Sequence, residues 1–201
     1  MRWAPPWQRQ APVDDTGLVQ RAQHGDTEAF EALVRGHQDP IYGLSVRMVG
    51  VDAAQDLAQQ AFLKAWLRLD QFKGDAAFGT WLYRLAVNCC LDHLRHVNRF
   101  QEIPLEEIEP TLPEVQDVAD LVQRRLDQDA QREALAWALE HLPSEDRLLL
   151  ALRIGDELAY DAIAEILGIT ATTVGTRLFR ARARLHALVR ERTTEDARGV
   201  R

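Results

Sequence analysis

The sequence predicts an all-α protein of two small helical domains joined by an acidic, Pro-containing linker, the C-terminal domain carrying a helix-turn-helix. Three observations predict it. Apolar residues recur at the spacing of a helix face almost everywhere, and no stretch shows the alternation of a strand. Pro104, Pro110 and Pro113 interrupt a strongly acidic middle segment, which marks a domain boundary. Tyr160–Leu167, then Gly168-Ile169, then Thr170 onward give a short helix, a tight glycine turn and a longer helix.

Taken in order, residues 1–13 hold Pro5, Pro6 and Pro12 with two Trp and no apolar h-region, so they read as a disordered extension and not as a signal peptide. The first domain spans residues 14–100. Its first helix starts near Asp15–Thr16 and stops at Gly25, after which Asp26 caps a second with Ala29, Phe30, Leu33 and Val34 on one face. Asp39-Pro40 has the form of a cap followed by a first-turn proline and opens a third helix ending at Gly50. Asp52 to Gln55 has capping-box form and starts a long helix with a broad stripe from Leu57 to Leu69. Residues 71–79, with two glycines, break the pattern before another helix from about Thr80 to Val97.

The linker covers residues 101–129, and its second half, from Glu114, is amphipathic enough to be helical. The second domain, 130–192, contains a helix over Ala130–His141, one capped by Ser144 and ended by Gly155, one over Tyr160–Leu167, and one capped by Thr170 that runs towards Arg190. Residues 193–201 are a tail.

Charge sharpens this division. The net charge is −7. Residues 1–100 balance eleven basic against eleven acidic side chains, and residues 134–201 balance ten against ten. The whole excess lies in 101–133, with ten acids against three arginines, whereas 170–201 carries eight arginines against three acids. A basic tip is therefore hidden in an acidic total, and distribution matters more than the sum. No apolar run approaches the roughly 20 residues of a membrane span. Cys89 and Cys90 are adjacent on a helix, with no second Cys or His pair at ligand spacing, so they read as packing residues of a cytoplasmic protein.

On the last helix Val174, Leu178, Ala181, Leu185 and Leu188 fall within about 80°, while Thr173, Thr176, Arg177, Arg180 and Arg184 cluster on a neighbouring face. One side can pack while the other offers hydroxyl and guanidinium groups to bases and phosphates. A solvated basic face on a bundle helix is the plainer reading, but the glycine turn and the Thr cap favour DNA.

At this point the chain resembles the extracytoplasmic-function (ECF) group of sigma-70 family RNA polymerase factors. Leu142 to Arg147, Leu152-Arg153, Leu158 to Ala164 and Ile169 through Leu185 look like the family's promoter-binding C-terminal domain. Gly25 to Phe30, Asp56 to Phe62, Phe78 to Arg84 and Asn88 through Arg95 resemble its other conserved domain. The resemblance implies a transcription initiation factor that works with no cofactor or metal, binds core RNA polymerase through its β′ clamp and β subunits, and is held by an anti-sigma factor in stress response. It also implies that the first domain holds the −10 promoter element as single strand, through Phe72, Lys73, Phe78, Trp81, Arg84, Asn88 and Arg95. Arg84, Asn88 and Arg95 lie within about 40° of one another on their helix, and single strands are held by a basic track beside aromatic faces. Core packing is the competing reading of Phe78 and Trp81. The second domain would hold the −35 element as duplex through Arg153, Thr170, Thr172, Thr173, Thr176, Arg177, Phe179, Arg180 and Arg184. Asp56, Gln59 and Gln60 would dock the polymerase clamp, and the acidic linker would thread the cleft and RNA exit path.

Three positions depart from the family pattern. Ala159 replaces a usual Ser or Thr cap, Gly175 a usual Lys or Arg of the recognition helix, and Gln60 a common Glu. An operator-binding regulator that acts without polymerase would explain the helix-turn-helix but not the first domain. Catalysis lacks support: His93, His96 and Asp92 share one helix without triad or metal geometry, and there is no small-molecule substrate motif.

Overall fold

The structure, a computed structural model, describes residues 15–98 and 128–199, and within them eight α-helices and no strand. The N-terminal extension and the whole of the linker to residue 127 lie outside the described residues, including the helix expected after Glu114.

Helix α1, Asp15–Gln23, buries Val19 and Ala22. Gly25 turns the chain at φ 91°, and the Asp26 carboxylate accepts from the Ala29 amide at 3.0 Å, capping α2 as its sequence predicts. Helix α2 is Thr27–Val49 and runs unbroken through Pro40. The separate helix expected to open at Asp39-Pro40 does not exist. Its buried residues show why: Ala29, Leu33, His37, Ile41, Leu44 and Met48 form one stripe spanning the proline. An interior proline costs about 3 kcal/mol. Burying Ile41, Leu44 and Met48 contributes roughly 1.5–3 kcal/mol each, so the continuous stripe wins.

Gly50, at φ 81°, ends α2, and α3 (Val51–Leu67) starts immediately. Gly50 itself takes the cap position and no side chain caps this helix, so the capping box expected at Asp52 is absent. Asp52 lies in the first turn instead, where its charge still suits the helix dipole. After a 3-10 turn, Leu69–Gln71, and a loop, α4 spans Phe78–Asn98, beginning two residues before the expected Thr80. Helices α2, α3 and α4 pack on one another around Leu33, Ile41, Leu44, Ala61 and Leu82, all fully buried. The buried Ser45 hydroxyl donates to the Ile41 carbonyl at 2.9 Å, which removes the penalty of an unpaired polar group.

The second half contains α5 (Gln128–His141), α6 (Ser144–Leu150) continuing into a π turn over Ala151–Gly155, α7 (Tyr160–Leu167) and α8 (Ala171–Gly199). Ser144 is not the cap of α6; Pro143 holds that position and no side-chain cap bond forms. Ala159 likewise precedes α7 without a side-chain cap. Gly168 is left-handed at φ 68°, and the axes on either side of it are bent by 98°, within the helix-turn-helix range. The Thr170 hydroxyl accepts from the Thr173 amide at 3.2 Å and caps α8 as expected. Helix α8 overruns the expected end near Arg190 and takes in most of the expected tail, because no glycine or proline intervenes before Gly199. The halves do not stand apart: α4 packs on α7 and α2 on the π turn, and buried side chains of both form one apolar cluster.

Candidate nucleic-acid interface

The face of α4 expected to meet a single strand begins with a ring cluster. Phe72 lies 5.1 Å from Trp81 and 5.8 Å from Phe78, and Phe78 lies 5.7 Å from Trp81 and 5.5 Å from the His37 ring. The three rings are not equally available. Phe78 is only 3% exposed and is a core residue, so its expected stacking role meets no open surface here. Phe72 and Trp81 are half-buried and keep an outer edge, while Lys73 is exposed. Gln23 holds the loop in place, donating to the carbonyls of Leu69 and Phe72, each at 2.9 Å.

Along the helix, Asn88 and Arg95 face solvent, and Arg95 reaches Asp92 at 2.6 Å. Helical spacing puts Leu82, Ala86, Cys89 and His93 on one core face; the first three are buried and His93 is half-buried. Arg84 is turned elsewhere. Its guanidinium donates to the Glu165 carbonyl, with Nε at 3.0 Å, on the second half of the chain.

On α8, Val174, Leu178 and Ala181 are buried, with Leu185 and Leu188 packed against the same cluster. Thr172, Thr176, Arg177, Phe179 and Arg180 are exposed side by side, and the Thr176 hydroxyl donates back to the Thr172 carbonyl at 3.2 Å. Thr170 and Thr173 are tied into the cap, their hydroxyls 2.8 Å apart. Arg177 lies 3.7 Å from Glu145, and Arg184 lies 2.6 Å from Asp146. Arg153 is half-buried, donates to the Leu158 carbonyl at 2.9 Å and sits over the Tyr160 ring, so it braces the turn between α6 and α7. A Cβ on Gly175 would meet Tyr160 at 3.4 Å, an ordinary contact, so the glycine is not forced by lack of space.

On α3, Asp56, Gln59 and Gln60 are all exposed. Leu63 and Leu67, 57% and 66% exposed, extend the same side of the helix. Sequence reasoning missed them, although the i, i+4, i+7, i+11 run of Asp56, Gln60, Leu63 and Leu67 would have placed all four on one line.

Comparison with known proteins decides what this arrangement is. Residues 33–100 match Sigma-70 region 2, and residues 132–185 match Sigma-70, region 4. The RNA polymerase sigma-H factor of Pseudomonas aeruginosa is 38% identical over 176 residues, covering 84% of this chain and 90% of that protein. The chain belongs to the ECF group of the sigma-70 family. The ECF RNA polymerase sigma-E factor of Escherichia coli K12 is 36% identical over 178 residues, covering 85% of this chain and 91% of that one. A solved structure of CnrH in complex with the cytosolic domain of CnrY is 25% identical, with a TM-score of 0.59 over 88% of this chain and 97% of that chain. The sigma factor RpoE, solved in complex with the anti-sigma factor NepR from Bartonella quintana, shares the fold at 22% identity and a TM-score of 0.56, over 80% and 96% of the two chains. This sigma factor is accordingly a promoter-directing initiation factor and not an enzyme. Among its described residues no single helix is long and apolar enough to cross a membrane.

The least expected feature of this sigma factor is the contact between its halves. Arg47, near the end of α2, pairs with Asp156, just after the π turn, and the carboxylate is buried. Burial pushes the Asp156 carboxyl above the usual range, opposed by the Arg47 charge. Tyr83, fully buried beside them, has its phenol held protonated by burial and by the Asp156 charge. Arg147 donates to the Met48 carbonyl at 3.0 Å and to the Glu140 carbonyl at 2.6 Å, and burial lowers its pKa against the pull of Glu140. No sequence signal announces these partners, since Arg47 and Asp156 stand 109 positions apart.

Proposed function

We propose that this factor binds core RNA polymerase, reads the −35 element as duplex with the start of α8, and captures the −10 element as melted single strand on α4. What supports the reading most is the presence of two exposed recognition faces on different halves. One offers Thr172, Thr176, Arg177 and Arg180 beside a helix-turn-helix bend, the geometry that seats a second helix in a major groove. The other offers Lys73, Asn88 and Arg95 beside the edges of Phe72 and Trp81, a basic track with stacking surfaces.

In this reading Asn88 hydrogen-bonds an extruded base, Trp81 and Phe72 flank it, and Phe78 supports both rings from below. Asp56, Gln59 and Gln60 dock the β′ clamp coiled coil, with Leu63 and Leu67 adding apolar contact. The acidic segment 101–129 threads the polymerase cleft, where negative charge keeps clear of a channel that must accept RNA phosphates. Residues 14–100 and 130–192 act as the two functional units in the cytoplasm. An anti-sigma factor is the expected regulator, because the chain shares its fold with a sigma factor, RpoE of Bartonella quintana, that was solved with such a partner.

The test is reconstitution of the full chain with core polymerase, followed by run-off transcription and mapping of start sites. Promoter-dependent transcripts with a shared upstream and start-proximal motif are expected. Transcription no better than core alone would overturn the proposal, and a regulator acting without polymerase would give that result.

A further inference from the structure

We propose that the free chain is held closed by a latch, Arg47 seated against Gly155 and paired with Asp156, and that the closed form withholds Arg84 from DNA. The inference rests on the proposed capture of a single strand on α4, with Arg84 taking the part in it that the family resemblance implies, but the latch itself does not.

Four observations carry it. Asp156 is 4% exposed, and a carboxylate so placed is costly unless a cation meets it. The cation comes from the other half of the chain. At Gly155 an added Cβ would overlap the Nε and Cδ atoms of Arg47, so the arginine lies in a notch that only glycine leaves open. A second tie runs beside it, from Arg147 to the Met48 carbonyl at 3.0 Å, one residue before the end of α2. Finally, Arg84 spends its guanidinium on the Glu165 carbonyl, one of the last-turn acceptors of α7 that have no partner within their own helix.

The last contact makes closure matter for function. Arg84 satisfies the end of α7 when the halves are together, and it cannot hold that carbonyl and a strand phosphate with the same donors. Closure also fixes the helix-turn-helix beside α4, whereas promoter elements are read by two units that must spread along DNA. Closed and DNA-bound forms are therefore alternatives, and any ligand that prefers the open form shifts the balance in proportion to its differential affinity. The apparent affinity of the free chain for a strand is reduced by the fraction of molecules that are closed.

The experiment uses the full chain as wild type, Asp156→Asn, Gly155→Ala and, as a control away from the interface, Arg35→Gln. Small-angle scattering reads the opening without DNA, and fluorescence anisotropy reads binding of a labelled single-stranded DNA with a short randomised tract. Far-UV circular dichroism checks that each variant keeps its helices. Wild type and Arg35→Gln should be equally compact, and both latch variants should expand. A roughly tenfold gain in strand affinity on opening would mean that the wild type is open about one-tenth of the time. Folded latch variants that scatter like wild type would overturn the latch. Expansion without any gain in strand affinity would leave the latch standing and overturn the withholding of Arg84. If helical content falls in Gly155→Ala, Asp156→Asn alone decides, since its amide keeps the shape of the carboxylate while losing its charge.

Discussion

The Arg184 guanidinium meets the Asp146 carboxylate at 2.6 Å, fastening the middle of α8 to the first turn of α6. Asp146 is buried, while the arginine is about half exposed. An arginine on the proposed DNA face therefore also holds its own domain together, which separates it from Arg180 on the same face.

The two arginines should respond differently to truncation. Arg180→Ala is expected to weaken binding to upstream duplex by about 1–3 kcal/mol if it reads a base bidentately, with no change in thermal midpoint. Arg184→Ala should lower the midpoint as well, because it leaves the Asp146 carboxylate without its guanidinium. Calorimetric melting beside a duplex titration checks both, and equal melting of the two variants would refute the distinction.

Asn88→Ala should reduce transcription from promoters in a position-selective way. The side chain is exposed on a helix whose opposite face is core, so its removal leaves packing intact. Comparison of templates that differ at single positions of the start-proximal element provides the measurement. A uniform loss on every template would assign Asn88 to another task.

Gly175→Ala should stabilise the chain by about 1 kcal/mol, the helix-propensity difference between the residues. The new methyl would touch the Tyr160 ring at 3.4 Å, and that ring is partly exposed and able to shift. Chemical denaturation gives the answer. A destabilised variant would mean that the contact is tighter than the geometry indicates.

Cys90 should resist alkylation near pH 8 in the native state. Burial pushes its thiol up to about 11, a shift only partly offset by the contact with Ser45. A raised value in the folded state means that this thiol contributes stability in full below its ordinary range, and that the contribution is lost as pH climbs through about 11. Mass spectrometry after iodoacetamide treatment, with and without denaturant, tests the first point. Rapid native modification would contradict it.

Much of this could be read from the chain. Asp26, Gly168 and Thr170 act within a few residues of themselves, through a cap, a left-handed turn and a second cap, so their roles are visible at close range. The core face of α8 was equally legible, because helical spacing alone puts Val174, Leu178 and Ala181 together. Local rules failed where they competed with burial. Pro40 and Ser144 carry strong boundary signals, yet α2 continues through the proline and α6 starts without its hydroxyl cap.

By itself, then, the sequence determined an all-α chain with a helix-turn-helix near its end, an acidic middle and two sets of candidate DNA contacts, since periodicity, caps and charge are properties of neighbours. Only the tertiary structure decided that Phe78 is buried in the core, that Arg153 braces a turn, and that Arg84 and Arg47 reach across to the other half. The physical reason is distance along the chain. A side chain's final partner depends on which surfaces the packed helices bring within a few ångströms, and no local pattern encodes a carboxylate 109 positions away.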